Sequence, residues 1–426
     1  MRIAVLGLWH LGEIYSACLA ELGHTVFGIS EDADIVENFR KGIPPLAEPG
    51  LRVLLQKNIK SGRLQFSTDF SKLKQCDILW VTLDTPLDAK DKADTRIIFS
   101  SLKKALPFLK KNALVVVSSQ LPVGTSKKII SLVGKRGYAY VPENLQLGKA
   151  VESFMHPGRI VIGLRDQKTG QAVKRLLSGV KCDFLIMNPV SAEMVKHALN
   201  SFLAASLSFI YDVADMCEKE GADILSVSRA LKSDPRIGEK AYLDASIGFS
   251  GGTLGRDLQF LLREGKKFHT KLPVIAAAYE KNMKRQNVVY EKLKELGSLK
   301  NKRVALLGLT YKAGTPTLRR SLALEIASKL SLHGVSLSFY DPALSKDDIL
   351  KSYKGEFIYG KNIYDALKEA HAAVLVTPWK GIEKVNWERV RGAMRAPRIF
   401  IDSRNFFAEK SDTIRKRGIL YKGIGR

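Results

Sequence analysis

Apolar positions along the chain follow one rhythm at both ends and another in the middle. In the N-terminal third, short apolar runs alternate with stretches of helical periodicity. Residues 3–6, 25–29, 78–83, 114–118 and 139–141 read as strands, and residues 10–22 as a helix. Continuous apolar runs, as opposed to apolar–polar alternation, indicate strands covered on both faces. Interleaved with helices, they predict a parallel sheet with helices on each side. In the middle, a helical pattern begins at Pro189 and continues to about Gly221, carrying one apolar stripe through Val195, Leu199, Phe202, Leu203, Leu207, Ile210 and Val213. A helix of about 30 residues spans roughly 45 Å. Further helix is predicted within 257–295. After Gly297 the first rhythm resumes, with strands at 303–307, 336–340, 373–377 and 399–402 and a helix over 321–333.

This pattern predicts an α/β protein: two Rossmann-like, doubly wound parallel-sheet domains joined by a central long-helix domain. Boundaries fall at 1–188, 189–296 and 297–426, in keeping with 426 residues being too many for one core. Composition changes this picture little. Apolar residues are 45% and charged residues 26%, an ordinary globular balance. No apolar run reaches the roughly 18 residues of a membrane span. Residues 1–7 read as a buried first strand, being too short for a secretory leader. The four cysteines, Cys18, Cys76, Cys182 and Cys217, are scattered and form no Cys-x-x-Cys pair. They suggest neither a zinc site nor a disulfide framework, and a cytoplasmic location is expected. The net charge of +25 is unusual. Lysine and arginine are spread over the whole chain without aromatic interleaving, so the charge reads as a basic solvated surface that steers acidic ligands, and a nucleic-acid partner is not expected.

The first strand runs into Gly7-Leu8-Trp9-His10-Leu11-Gly12. A dinucleotide-binding turn uses Gly-x-Gly-x-x-Gly, so that the backbone turns tightly and approaches a pyrophosphate. The first and third glycines are present here, but Trp9 stands in the middle, where a side chain should crowd that approach. An ordinary strand–helix turn is the competing reading. The ribose of a dinucleotide usually meets an acidic residue after the second strand. Ser30 occupies that register, and Glu31 or Asp32 reaches it by a one-residue slip. No arginine is adjacent, which favours NAD over NADP.

Separated motifs then line up in order with one family. Gly42-Ile43-Pro44-Pro45-Leu46-Ala47-Glu48-Pro49-Gly50-Leu51, Asp84-Thr85-Pro86, Pro122-Val123-Gly124-Thr125 and Pro142-Glu143-Asn144-Leu145 are followed by Pro157-Gly158-Arg159 and Glu193-Met194-Val195-Lys196 with Asn200. Asp234-Pro235-Arg236, Tyr311-Lys312, Arg319-Arg320-Ser321, Tyr340-Asp341-Pro342, Thr377-Pro378-Trp379 and Asp402-Ser403-Arg404-Asn405 complete the series. In this order they resemble the UDP-glucose/GDP-mannose dehydrogenase family over essentially the whole chain.

The resemblance implies hydride transfer from an alcohol of a UDP-hexose to NAD, within a homodimer. It implies a catalytic set of Glu143 as general acid/base, Lys196 and Asn200 as oxyanion stabilisers, Asp257 beside the reacting carbon, and position 253. Lys196 and Asn200 are four residues apart, so they share a helix face. For cofactor contacts it implies Gly7, Trp9, His10, Leu11, Gly12, Glu31, Asp32, Thr85, Pro86, Gln120, Arg256 and Arg319. For the substrate it implies Asn144, Leu145, Arg236, Tyr242, Phe249, Gly252, Tyr311, Lys312 and Arg404, with Tyr311 on the uracil, Lys312 on the phosphates and Arg236 reaching across a dimer. The bland alternatives are a solvated helix lysine at 196, a helix cap at Asp257 and surface ion pairs for the arginines.

One departure bears on the reaction. The family's glycine-rich segment carries a cysteine that captures the aldehyde. Here the segment is Gly248-Phe249-Ser250-Gly251-Gly252-Thr253-Leu254-Gly255-Arg256-Asp257, with Thr253 in the cysteine's place and Arg256 in that of a lysine. An unactivated hydroxyl is not the nucleophile that a thiolate is. The acid-forming second oxidation is therefore in question. An epimerase-like or single-oxidation enzyme and a catalytically silent UDP-sugar-binding relative remain alternatives.

Overall fold

The computed structural model describes residues 1–86, 93–143, 145–285, 287–294 and 297–426. The chain divides into two compact units, Met1–Ala198 and Leu199–Arg426. Each is built on one sheet.

In the first unit the strands are β1 (Arg2–Leu6), β2 (Thr25–Ile29), β3 (Leu64–Ser67), β4 (Ile78–Val81), β5 (Leu114–Val117), β6 (Gly137–Tyr140), β7 (Arg159–Leu164) and β8 (Asp183–Met187), in the order β3-β2-β1-β4-β5-β6-β7-β8. The continuous apolar run of β1 has a simple cause. Ile3 and Val5 enter the core on one face of the sheet, and Ala4 and Leu6 enter the core on the other. Fully burying each large apolar side chain contributes roughly 1.5–3 kcal/mol, so neither face tolerates a polar residue. The sheet departs from a wholly parallel arrangement at one place: β7 runs antiparallel to β6, pairing Ala139 with Leu164 and Tyr140 with Gly163. The chain leaves β1 toward β2 and β3, then returns to the other side of β1 with β4, placing a topological switch point at the carboxyl ends of β1 and β4.

The second unit repeats the device with β9 (Arg303–Leu307), β10 (Ser336–Tyr340), β11 (Ile358–Tyr359), β12 (Ala372–Leu375), β13 (Ile399–Asp402) and β14 (Leu420–Lys422), ordered β11-β10-β9-β12-β13-β14. Every pairing in it is parallel. Val304 and Leu306 face one core, and Ala305 and Leu307 the other. Its switch point lies where β9 and β12 end. The helix predicted to begin at Pro189 does so and runs Pro189–Glu220, 32 residues, with proline where a missing N–H costs nothing. The predicted helical stretch beyond residue 257 is three helices, Arg256–Lys267, Pro273–Arg285 and Val288–Leu293. Among the described residues no helix is long and apolar enough to cross a membrane.

Candidate active site

At the first switch point the turn after β1 is drawn tight. Gly7 has φ +101°, and a Cβ there would lie 2.8 Å from the Leu83 side chain and 2.9 Å from its backbone nitrogen. A Cβ on Gly12 would meet the Gly7 carbonyl oxygen at 1.8 Å. Both glycines are therefore required by close packing, and Thr82 Oγ1 fixes the turn by donating to that same carbonyl at 2.8 Å. Trp9 occupies the middle position of the turn. Its backbone is extended (φ −116°, ψ −160°), a conformation open to any residue, and its side chain is 43% exposed. The helix His10–Glu21 starts immediately after it, with His10 and Leu11 in its first turn and half-buried.

After β2, Asp32 caps the next helix, its carboxylate accepting from the amides of Asp34 at 2.9 Å and Ile35 at 3.1 Å. Glu31 instead pairs with Lys104 at 2.5 Å, both half-exposed. Of the three ribose candidates, Asp32 thus has a local structural duty and Glu31 a cationic neighbour. Ser30 Oγ accepts from the Asp32 amide at 3.2 Å.

The ends of β4, β5 and β6 are joined by polar contacts that local sequence patterns do not reveal. Thr85 Oγ1 donates to the Gln120 carbonyl at 2.8 Å, holding the Thr85-Pro86 turn against the end of β5. From the long helix, Glu193 accepts the amides of Gly124 and Ser126, each at 2.6 Å, and His197 Nε2 bonds the Leu121 carbonyl at 3.0 Å. Burial pushes the Glu193 carboxyl above its ordinary range, while those donors pull it back. Glu193 and His197 lie one turn apart, so they lock one helix face onto the turn that follows β5. Lys196 sits between them, buried, with its ammonium 3.4 Å from Glu143. The lysine is therefore not the solvated surface group of the bland reading. A buried ammonium is expensive without a partner, and Glu143 supplies one. Leu145 is half-buried two residues on, and Asn144 lies outside the described residues.

In the second unit Asn200, one turn beyond Lys196 on the same helix, donates its amide to the carboxylate of Asp257. Asp257 is completely buried in the first turn of Arg256–Lys267, where the helix dipole favours an anion. It is not the helix cap that the sequence left open, because Gly255 holds that position. The preceding segment is shaped by Asn282, which accepts from the Phe249 amide at 2.8 Å and donates to the Phe249 carbonyl at 2.9 Å. Residues Gly251–Gly255, including the backbone of Gly252, form a π turn that presents Thr253 exposed. Arg256 is half-buried at its end.

Tyr242 is 46% exposed, and Arg236 is exposed and held by its neighbour Asp234 at 2.7 Å. At the second switch point Asp341 gathers the turn after β9, accepting from the amides of Leu309 at 2.7 Å and Thr310 at 3.0 Å and from Trp379 Nε1 at 3.1 Å. Tyr311 follows, 37% exposed, with Lys312 and Arg319 exposed on the same loop. Arg404, exposed, follows β13. Glu193 and Asp341 lie within motifs legible in the sequence, but the turns they organise are far from them in the chain.

The NAD binding domain of the UDP-glucose/GDP-mannose dehydrogenase family matches residues 1–181, its central domain residues 190–284 and its UDP binding domain residues 305–409. The UDP-glucose 6-dehydrogenase YwqF of Bacillus subtilis is 33% identical over 100% of this chain and 98% of its own length. The UDP-glucose 6-dehydrogenase of Rickettsia conorii is 31% identical over 100% of this chain and 99% of its own. Among solved structures, the UDP-glucose dehydrogenase of Pyrobaculum islandicum is 27% identical, with a TM-score of 0.90 over 100% of this chain and 97% of that one. The two tightened switch-point turns, the buried Lys196 and Asp257, and these matches lead to one conclusion: the chain belongs to the UDP-glucose/GDP-mannose dehydrogenase family, with that family's NAD-binding and UDP-binding domains.

Proposed function

We propose that this NAD-dependent UDP-sugar dehydrogenase acts on the primary alcohol of a UDP-hexose, in the manner of a UDP-glucose 6-dehydrogenase. The observation that carries the reading is the burial of two polar side chains on successive turns of one helix, each partnered by a carboxylate: Lys196 in an ion pair with Glu143, and Asn200 in a hydrogen bond to Asp257.

The N-terminal turn suits a dinucleotide, because the spaces a side chain would need at Gly7 and Gly12 are already filled. Backbone at Gly7–Gly12, with Trp9, His10 and Leu11, would hold the pyrophosphate at a helix N-terminus. Glu31 or Asp32 would meet the ribose, and Thr85, Pro86, Gln120, Arg256 and Arg319 complete the cofactor contacts. When bound, NAD accepts the hydride. The chain's own residues handle the oxygen and its proton. Lys196 stabilises negative charge on the reacting oxygen, Asn200 orients it, Asp257 takes up a proton or positions water, and Glu143 acts as general acid/base. Tyr311, Lys312 and Arg404, with Leu145, Asn144, Tyr242, Phe249 and Gly252, contact the nucleotide sugar. We retain the partition 1–188, 189–296 and 297–426 as the functional division.

Thr253 sets this chain apart. Its hydroxyl does not capture an aldehyde as a thiolate does, so acid formation lags the first oxidation. Incubation with NAD and a UDP-sugar panel, with products read by mass, is expected to give close to one NADH per UDP-glucose at early times. Thr253→Cys is expected to raise acid formation at least about tenfold, a loss of barrier of roughly 1.4 kcal/mol. No turnover on any UDP-hexose overturns the assignment, and no gain in Thr253→Cys overturns the role given to this position.

We further propose a homodimer. Phe202, Phe209 and Met216 are 69%, 54% and 54% exposed at seven-residue spacing on the long helix, an apolar stripe suited to a second copy. Arg236, also exposed, then reaches the partner's sugar. Phe209→Asp is expected to yield monomers by light scattering.

A further inference from the structure

The loop joining the helices Ala33–Arg40 and Leu51–Lys60 sends one carboxylate inward. The Glu48 side chain has no solvent exposure. Three donors converge on it. His10 Nε2 approaches Oε1 at 2.8 Å, the Gly148 amide reaches the same oxygen at 2.8 Å, and the Ala150 amide reaches Oε2 at 3.2 Å. A carboxylate accepts, and an imidazole N–H at Nε2 is the donor that suits it. A buried anion is tolerable here because all three partners are N–H groups, and charge-assisted bonds of this kind are the strong ones.

The three partners come from two different functional segments. His10 opens the helix at the dinucleotide turn, while Gly148 and Ala150 close the loop that begins at Glu143. Glu13, one turn after His10, reinforces the junction. It is buried, accepts the Leu46 amide of the same loop at 3.5 Å, and leaves Oε1 without a partner among the described residues. Burial, with the charge of Glu48 adding to it, pushes its carboxyl up to about 8, so it stays neutral beside the Glu48 anion.

We propose that Glu48 is a positioning residue that ties the dinucleotide-binding turn, through His10, to the substrate loop, through the amides of Gly148 and Ala150, so that filling one site orders the other. This rests on the assignment of those two segments given above. Dinucleotide binding fixes His10, His10 fixes Glu48, and Glu48 holds the two amides that orient the loop carrying Glu143. Such a coupling is reciprocal: the factor by which NADH tightens the nucleotide sugar equals the factor in the other direction.

The test is titration calorimetry of UDP-glucose with and without saturating NADH, on wild type, His10→Ala and His10→Gln. In wild type NADH is expected to tighten UDP-glucose about fivefold or more. His10→Ala removes the donor and is expected to bring that ratio close to one. His10→Gln keeps an N–H toward Glu48 and is expected to retain most of it. Glu48→Gln, checked by its melting transition, is expected to lose the ratio as well, and the partly exposed His10 site gives an answer even if Glu48→Gln does not fold. At saturating NAD, the KM for UDP-glucose should rise more in His10→Ala than in His10→Gln. A His10→Ala protein that binds NADH more weakly yet keeps the full ratio overturns the proposal, as does a wild-type ratio of one. Failure of wild type to bind UDP-glucose or NADH at all refutes the underlying functional reading.

Discussion

The turn after β1 and the turn after β9 solve the same topological problem in different ways. Both start with a glycine at a switch point in a left-handed backbone conformation, Gly7 at φ +101° and Gly308 at φ +79°. Both pack against the strand across the switch, where a Cβ would meet Leu83 at 2.8 Å in one case and the Thr377 carbonyl oxygen at 2.1 Å in the other. Beyond that they diverge. The N-terminal turn enters its helix within three residues, and Gly12 lies flat against Gly7. The C-terminal turn runs through a long loop before the helix Leu322–Leu332 and is held by the buried carboxylate of Asp341. The first presents a helix N-terminus and bare backbone, suited to a pyrophosphate held by dipoles. The second presents Tyr311 and Lys312 on a loop, side chains suited to a base and phosphates.

The largest effects should come from the two glycine contacts, and they should separate. Gly12→Ala places a methyl within bonding distance of a backbone oxygen and is expected to cost roughly 3 kcal/mol. It should weaken NADH binding about tenfold or more while leaving UDP binding, measured without NADH, within about twofold. Gly308→Ala should do the reverse. Equal loss of both ligands in either variant would mean that the turns are not independent.

Next is the pH dependence of the first turn. The Glu13 carboxyl is raised from 4.5 to about 8, mainly by burial. A raised carboxyl gives its stabilisation in full below the unfolded value and loses it as pH climbs through the folded one. Wild-type stability should therefore fall between about pH 5 and 8, by at most about 1.4 kcal/mol per pH unit from this group. Glu13→Gln should flatten that slope in urea titrations. An unchanged slope would show that Glu13 is not the group responsible. Asp341→Asn comes third, with an expected loss of about 2 kcal/mol and weaker UDP binding at unaltered NADH affinity. The smallest effect belongs to Glu31→Ala. Its ion pair with Lys104 is half-exposed on both sides, so stability should change by less than about 1 kcal/mol, and any loss of NADH affinity would assign the ribose contact to Glu31 over Asp32.

The comparison also explains what could be read early. The strands Thr25–Ile29, Arg303–Leu307, Ser336–Tyr340 and Ile399–Asp402 coincide with the apolar runs seen in the sequence, because a strand buried on both faces cannot hide its composition. Leu64–Ser67 and Asp183–Met187 escaped notice. They lie at the two sheet edges, where alternate or most side chains are exposed and the apolar signal dilutes. The reversal of β7 was equally hidden, since direction depends on the partner and not on the run itself. At the site, Lys196 and Asn200 were placed on one helix face by spacing alone. Their partners were not, since Glu143 and Asp257 lie 53 and 57 residues away in the chain.

By itself the sequence determined the alternation of buried strands and helices, the glycine-led turn after the first strand and the order of the family's motifs. These are properties of composition and spacing, which survive in one dimension. Only the tertiary structure decided that Trp9 is exposed on an extended backbone, that Asp32 caps a helix while Glu31 faces Lys104, and that Glu48 gathers His10 with two distant amides. Those outcomes depend on which groups the fold brings within reach of one another, and for the buried Glu48 on a desolvated carboxylate needing donors around it.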